Sequence, residues 1–454
     1  MPISTKEKTK SPKGTVDLLN GPIMKSLVLF MLPLFLSNAF QQMYNAVDTA
    51  IVGNYLGENS LAAVGAVSSI FDLLVMFTNG IGTGCSIVVA KYYGMGNEDK
   101  MKKSVAGAFI IGALTTLILT LLSAFLMRPL MRLINTPQKI FEEAYSYIHV
   151  ISMFLIVTCV YNLLSALLRA IGNSLMPLAF LIISSVLNVF LDIFCITQLR
   201  MGVRGAAVAT VISQAVSVLL CIIYIITRVK ILIPSKRHFV FDKVLLVDLA
   251  SQGYSMGFMS SIVGIGTVIL QSGINSLGEY VISGHVAARK IFSICTLPFF
   301  SMSQAASTFI PQNYGAGKYD RIRKGVRDTW IYSIVMGAFM SVFLIFAARP
   351  LMHLISGSTN PIILGNGTRY IHFASYFFWV LGILVCTRNI LQGLGHRITP
   401  LISSVIELLG KVIFTWLFVP VFGYNAVILC EPVIWCAMTV QLLFTYHRAS
   451  KHLI

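Results

Sequence analysis

The chain has 454 residues, of which 56% are hydrophobic and only 11% charged, and its mean hydropathy is +0.80. A soluble globular protein carries roughly 25% charged residues, so this composition cannot cover a water-facing surface, and most of the chain must face lipid. The 34 Lys and Arg against 17 Asp and Glu leave a net charge of +17, which admits nucleic acid or anionic lipid as partners until the charges are placed along the chain.

Residues 1–22 hold Lys6, Lys8, Lys10 and Lys13 without an apolar core, which predicts a polar tail and not a signal peptide. Runs of about 20 apolar residues then recur, each long enough to cross a bilayer as a helix. In chain order they predict spans at 24–51, 59–87, 103–127, 143–168, 176–197, 205–227, 248–275, 281–309, 326–348, 367–391, 400–419 and 425–446. These runs do not alternate apolar with polar residues, which excludes a transmembrane β-barrel. The polar stretch 228–247 separates the sixth span from the seventh, predicting a linker between lobes at 23–227 and 248–454. The expected fold is an all-α membrane protein of twelve transmembrane helices in two pseudo-symmetric six-helix lobes.

The two halves echo each other. Tyr93-Gly94-Met95-Gly96 returns as Tyr314-Gly315-Ala316-Gly317, and Arg128-Pro129-Leu130-Met131 as Arg349-Pro350-Leu351-Met352; both displacements, 314 − 93 and 349 − 128, equal 221. Leu56-Gly57-Glu58 returns as Leu277-Gly278-Glu279 at the same displacement. A fixed self-similarity in so apolar a chain marks two copies of one membrane unit, the build of many secondary transporters. With a cytoplasmic amino terminus, about 24 of the Lys and Arg residues fall at cytoplasmic ends and about seven at outer ends, as the positive-inside rule requires. Topology thus accounts for the basic excess without nucleic acid, which would need a basic face interleaved with exposed aromatics. The expectation is a multi-pass protein of the cell (inner) membrane, both termini cytoplasmic, with the lipid bilayer as its surroundings and a monomeric state.

Cys85, Cys159, Cys195, Cys221, Cys295, Cys386, Cys430 and Cys436 lie in or at the ends of apolar runs without a Cys-x-x-Cys, the pattern of packing residues. Ionisable residues within spans carry more. A carboxylate at bilayer depth costs at least about 2.5 to 3.5 kcal/mol, so each needs a partner, a wet cavity or a proton. Asp48 in span 1, Asn188 and Asp192 in span 5 and Thr210 in span 6 all fall in the outer half of the first lobe, and Asn188 and Asp192, four apart, share a helical face. Oxygen ligands suit a hard cation, whereas two close carboxylates would share a proton; both describe a coupling-ion site. The competing reading is that Asp48 and Asp192 bond neighbouring helices or that Asp48 sits at a wet helix end. Asp72 has no second polar group placed beside it. In the second lobe His285 reads as a packing residue, Glu407 and Lys411 as a pair within one helix, and of Arg289 and Lys290 at least one must reach a polar cavity or a carboxylate.

These residues resemble the MATE (multidrug and toxic compound extrusion) transporters, in particular a bacterial branch with its ion site in the first lobe. The likeness covers nearly the whole chain: twelve spans in two lobes, Pro33 fifteen residues before Asp48, the run Gln41-Gln42-Met43-Tyr44-Asn45-Ala46-Val47-Asp48, and the paired Tyr-Gly-x-Gly loops. The branch's cation site uses an Asp on helix 1, an Asn and Asp four apart on helix 5 and a Thr early in helix 6, which fall here on Asp48, Asn188, Asp192 and Thr210. Another branch places acidic residues on helices 7 and 10, whose interiors here contain none; span 7 offers Ser260, Ser261, Gln271 and Ser272.

The resemblance implies antiport of cationic amphipathic organic compounds against H+ or Na+ by alternating access, with no cofactor. Gln41, Tyr44, Asn45 and Gln271 are then the candidate substrate-binding residues, and Asp48, Asn188, Asp192 and Thr210 could hold Na+. Pro33 removes a backbone hydrogen bond inside span 1 and is the candidate hinge, about 22 Å from Asp48 along the helix. The Gly253-x-x-x-Gly257 and Gly264-x-Gly266 pairs read as close-packing positions. There is no nucleotide-phosphate loop, so an ATP-driven pump is not expected. A lipid-linked glycan flippase would need a more cationic cleft, a channel would conduct without stoichiometry, and an intramembrane enzyme would need clustered catalytic residues near a membrane face.

Overall fold

The computed structural model describes residues 14–451, which fold almost entirely as helices. The first half contains α1 (Ile23–Leu56), α2 (Glu58–Gly94), α3 (Glu98–Leu133), α4 (Phe141–Met153), α5 (Leu155–Ala170), α6 (Leu175–Ile193) and α7 (Val203–Arg228). The second contains α8 (Lys243–Asn275), α9 (Glu279–Gly315), α10 (Tyr319–Ser356), α11 (Pro361–Ser375), α12 (Phe378–Gly393), α13 (Ile398–Ile413), the short α14 (Val419–Phe422) and α15 (Tyr424–Ser450). Among the described residues nine helices are long and apolar enough to cross a membrane, and the pairs α4–α5 and α11–α12, bent by 49° and 56°, each complete one more. The twelfth crossing is α9, which spans about 54 Å at 1.5 Å per residue but carries Glu279, His285, Arg289 and Lys290 in its first third. The predicted spans are all present, and the helices run past the predicted ends because amphipathic turns extend beyond the apolar runs.

Side-chain caps start several of them. The Asn97 side chain accepts the Lys100 N–H at 3.0 Å ahead of α3, and Asp242 accepts the Leu245 N–H at 3.1 Å ahead of α8. The repeated Tyr-Gly-x-Gly now has a physical cause. Gly96 and Gly317 take φ of 69° and 67°, a left-handed conformation that ends each helix. Gly94 and Gly315 lie where the two motifs touch across the halves: a Cβ on Gly94 would run into the Gln312 backbone, and one on Gly315 into that of Lys91.

The two halves meet mainly at the end that carries both termini. There Gly80 lies against Gly257, where a Cβ would come within 2.7 Å of its Cα, and Gly253 lies against Cys85 and Ile81. These are the close-packing positions expected from the glycine spacing. Thr115 and Tyr254 share a hydrogen bond at 2.9 Å, Gln312 donates to the Ala170 carbonyl at 2.7 Å, and midway along α1 Asn38 donates to Ser301 at 3.2 Å. Toward the far end the facing helices part, and Gln41, Gln42, Asn45 and Thr49 of α1 are exposed.

Lys6, Lys8, Lys10 and Lys13 of the predicted tail lie outside the described residues. The described part of that segment is packed: the Val16 N–H donates to the Gly172 carbonyl at 2.9 Å, and Leu18, 1% exposed, joins the second-half core.

Candidate functional site

The predicted ion-site residues converge. In α6 the four-residue spacing puts Asn188 and Asp192 on the face turned into the first half, and both are fully buried. With its amide nitrogen toward Asp192, Asn188 donates to Asp192 Oδ2 at 2.8 Å while its oxygen accepts the Thr210 N–H at 3.2 Å. From α1, the Asp48 carboxyl stands beside that of Asp192, close enough for the two to interact electrostatically. Asp48 Oδ1 and Asp192 Oδ1 are both buried without a hydrogen-bond partner. Tyr44, one turn before Asp48, places its hydroxyl 3.5 Å from Thr210 Oγ1. Two carboxylates and a tyrosine thus meet in one buried spot, and neither carboxylate has a cationic side chain against it among the described residues.

Beside this spot lies a cavity of about 50 Å³ whose walls include Gln41, Tyr44, Asn162, Ser184, Ser213 and Gln214. Thr158 donates to Gln214 at 2.6 Å across its floor, while Asn162 Nδ2 and Ser185 Oγ are buried without partners. Sequence reasoning reached Gln41 and Tyr44 but missed the wall from α5, α6 and α7; the available signal was an excess of amides and hydroxyls in spans 4 to 6.

The other predicted positions lie apart from that spot. Asn45 is exposed on the open face of α1, and Gln271 donates to Asn275 at 2.9 Å on α8. Helix α1 runs unbroken through Pro33, whose carbonyl accepts the Ser37 hydroxyl at 2.8 Å. Asp72 is exposed on α2, with no hydrogen-bond or ion-pair partner among the described residues.

The second half answers its own charges. Arg289 Nη1 lies 2.9 Å from both oxygens of Glu431, and the Tyr370 hydroxyl donates to Glu431 Oε2 at 2.6 Å. His285 packs against Tyr370 and meets the Tyr424 hydroxyl at 3.1 Å. Lys411 holds Glu407 at 3.0 Å, the expected pair within one helix, and Arg388 approaches the same carboxylate at 3.6 Å. Glu431 went unnoticed in the sequence, although it is the sole carboxylate of span 12.

The profile of the MatE family matches the chain twice, over residues 33–194 and 256–417. This chain belongs to the MATE family. The double match makes each half one copy of the family unit, as the internal echo indicated. Among similar MATE proteins, the probable multidrug resistance protein YpnP of Bacillus subtilis is 27% identical over 393 residues, covering 86% of this chain and 87% of that protein. The probable multidrug resistance protein NorM of Thermotoga maritima is 23% identical over 395 residues, covering 85% and 83%. A solved multidrug resistance MATE family transporter in an outward-facing conformation superposes with a TM-score of 0.89 at 22% identity, over 98% of this chain and 99% of that one. The MATE fold of this chain is a multi-pass membrane transporter fold.

Proposed function

We propose that this MATE protein is a secondary active multidrug efflux antiporter, exporting cationic amphipathic organic compounds in exchange for H+ or Na+ by alternating access. The observation that carries this reading is the pair of carboxylates, Asp48 and Asp192, brought within reach of each other in the first lobe, each with one buried oxygen unpartnered. Two carboxylates so placed repel unless a proton or a cation lies between them. Either ion therefore binds where it changes the packing of α1 against α6, and α1 also lines the gap between the lobes. Tyr44 extends the oxygen set toward Thr210, and the polar cavity beside Gln41 gives water a path to the carboxylates.

The lobes, at 23–227 and 248–454, are the moving bodies, and Pro33 is the hinge. Both termini are cytoplasmic, because Lys100, Lys102 and Lys103, then Lys318, Arg321, Arg323 and Lys324, crowd the end that carries them. With that orientation the described conformation is closed to the cytoplasm and open to the outside. Gln41, Asn45 and Gln271 face the open gap as substrate contacts, and the protein works as a monomer in the inner membrane without a cofactor.

The test is substrate export by purified protein in proteoliposomes under imposed proton and sodium gradients. Asp48→Asn and Asp192→Asn are each expected to reduce gradient-driven export by about tenfold or more, in the range of a coupling free energy of about 1–3 kcal/mol. Wild-type rates in both variants under both gradients would remove the ion site from this account.

A further inference from the structure

On the second-lobe side of the gap, α9 carries a charge that the ion site does not use. On α9, Ser283, Val286, Lys290 and Ile294 form one exposed stripe, and the helix runs unbroken through Pro298 to Ser301. Eleven residues bring a helix back to within about 20° of the same face, so Lys290 looks the way Ser301 looks. Ser301 accepts a hydrogen bond from Asn38 of the first lobe, so this face is turned toward the first lobe and not toward lipid. Lys290 therefore projects into the gap about 16 Å beyond that contact, level with Asn45 and Thr49 on the opposite wall.

Lys290 has no ion-pair or hydrogen-bond partner among the described residues, whereas its neighbour Arg289 is committed to Glu431. The α1 wall opposite is polar but uncharged: Asn38, Gln42, Asn45 and Thr49 share the face that meets the second lobe. On α8, Gln271 and Asn275 bond to each other. The Asp48 and Asp192 carboxyls are turned into the first lobe and away from this face. An ammonium at this depth is costly unless it stands in a wet cleft and finds an anion during the cycle.

We propose that Lys290 is the specificity-determining cation of the cleft and pairs with a carboxylate on the transported compound. Resting on the multidrug antiport reading, this narrows the preferred substrates to amphoteric compounds: a positive end met by the exposed amide oxygens of Gln42 and Asn45 and an acidic group held from the second lobe by Lys290. No covalent step is involved. The pairing is made while the gap is open to one side and broken as water replaces the ammonium's partner on release.

The experiment compares gradient-driven export of a rhodamine bearing a free carboxylate with export of its methyl ester, in proteoliposomes containing the full chain. Wild type should favour the acid in kcat/KM by about tenfold, the scale of a charge-assisted hydrogen bond. Lys290→Gln should abolish that preference while exporting the ester as wild type does, Lys290→Arg should retain it, and Lys290→Glu should favour the ester. Equal handling of acid and ester by wild type, or an unchanged ratio in Lys290→Gln, overturns the inference while export of the ester leaves the antiport reading standing. Export of neither dye overturns both.

Discussion

Asp192 and Glu431 are both buried carboxylates, and their surroundings are opposite in charge. Glu431 is held by Arg289 and Tyr370, a closed arrangement in which every strong group has a partner. Asp192 meets Asn188 and another carboxyl, with no cationic side chain against it among the described residues. The repeat sharpens the contrast. At a displacement of 431 − 210 = 221, Glu431 occupies the place of Thr210, and at 411 − 188 = 223, the offset between the starts of α13 and α6, Lys411 occupies the place of Asn188. The second lobe sets Arg289 and Lys411 against its buried carboxylates, where the first has no cationic side chain against Asp48 or Asp192 among the described residues. Removing the fixed cation should unbalance that core: Arg289→Met leaves Glu431 buried and unpaired and is expected to cost about 3–5 kcal/mol. Thermal unfolding in detergent reads this directly. Arg289→Met combined with Glu431→Leu should recover most of the loss, and a single variant as stable as wild type would show that the pair is not structural. The sequence displayed Glu431 as an ionisable residue inside an apolar run, but Arg289 is 142 residues earlier, and only the folded lobe brings them together.

Helices carry the same lesson about what is shared and what is particular. A π-helical turn at Phe194–Gln198 follows Asp192 directly and would suggest a functional bulge if met alone. Its twin at Phe414–Phe418 follows Lys411 in the second lobe, where no ion site is proposed, so the bulge belongs to the repeated scaffold. Helix α13 differs from α6 by being three residues shorter, since its start is displaced by 223 and its end by 220. The spans and their order were legible because apolar length alone specifies a crossing, whereas the bends at Phe154 and between Ser375 and Phe378 were not, having no proline or glycine to mark them. The closed interface between α2 and α8 depends on glycine: a Cβ on Gly84 would strike the Gln252 carbonyl and come within 2.6 Å of Gly253 Cα. Gly84→Val should therefore wedge the lobes apart at the end bearing the termini. Overpacking costs about 1–3 kcal/mol, enough to move a two-state equilibrium by about one order of magnitude or more. The rate of thiol labelling at Val88→Cys, which lines a small cavity at that end, should rise accordingly. Unchanged labelling would mean that the interface accommodates the side chain without opening.

The molecule as a whole is closed at one end by more than helix packing. Residues 16–21 form a strap across both lobes: Val16 bonds Gly172 of the first, and Leu18 is inserted into the core of the second. Arg321 donates to the carbonyls of Leu18 and Gly21 at 3.2 and 2.8 Å, and Lys318 donates to the Leu19 carbonyl at 3.0 Å and to Asn20 Oδ1 at 2.7 Å. The sequence presented this segment as part of a polar tail, because a strap has no periodicity and its partners lie from 156 (Gly172 from Val16) to 303 (Arg321 from Leu18) residues away. In the alternating access proposed above, opening the end that carries the termini would require the strap to leave at least one lobe, so its strength would contribute to the balance between the two conformations. Asp17 organises it, accepting the N–H groups of Leu19 and Asn20 at 2.9 Å. Partial burial raises its carboxyl, but the Asn20 and Leu19 hydrogen bonds and the Lys318 charge together outweigh burial and hold it below the ordinary 3.8. A carboxylate depressed in the folded state contributes stability that is complete above its unfolded value and lost as pH falls through the folded one. The strap should therefore be fully latched at neutral pH and loosen only below about pH 4, where the carboxylate takes up its proton. Hydrogen exchange of the amides of residues 16–21, corrected for intrinsic rates, should accelerate over that acidic window in wild type. Asp17→Asn should exchange faster already at neutral pH and lose the acidic step, whereas Leu18→Asp should release the strap at every pH and raise thiol labelling at Val88→Cys. A strap as protected in Asp17→Asn as in wild type would mean that Lys318 and Arg321 hold it without the carboxylate.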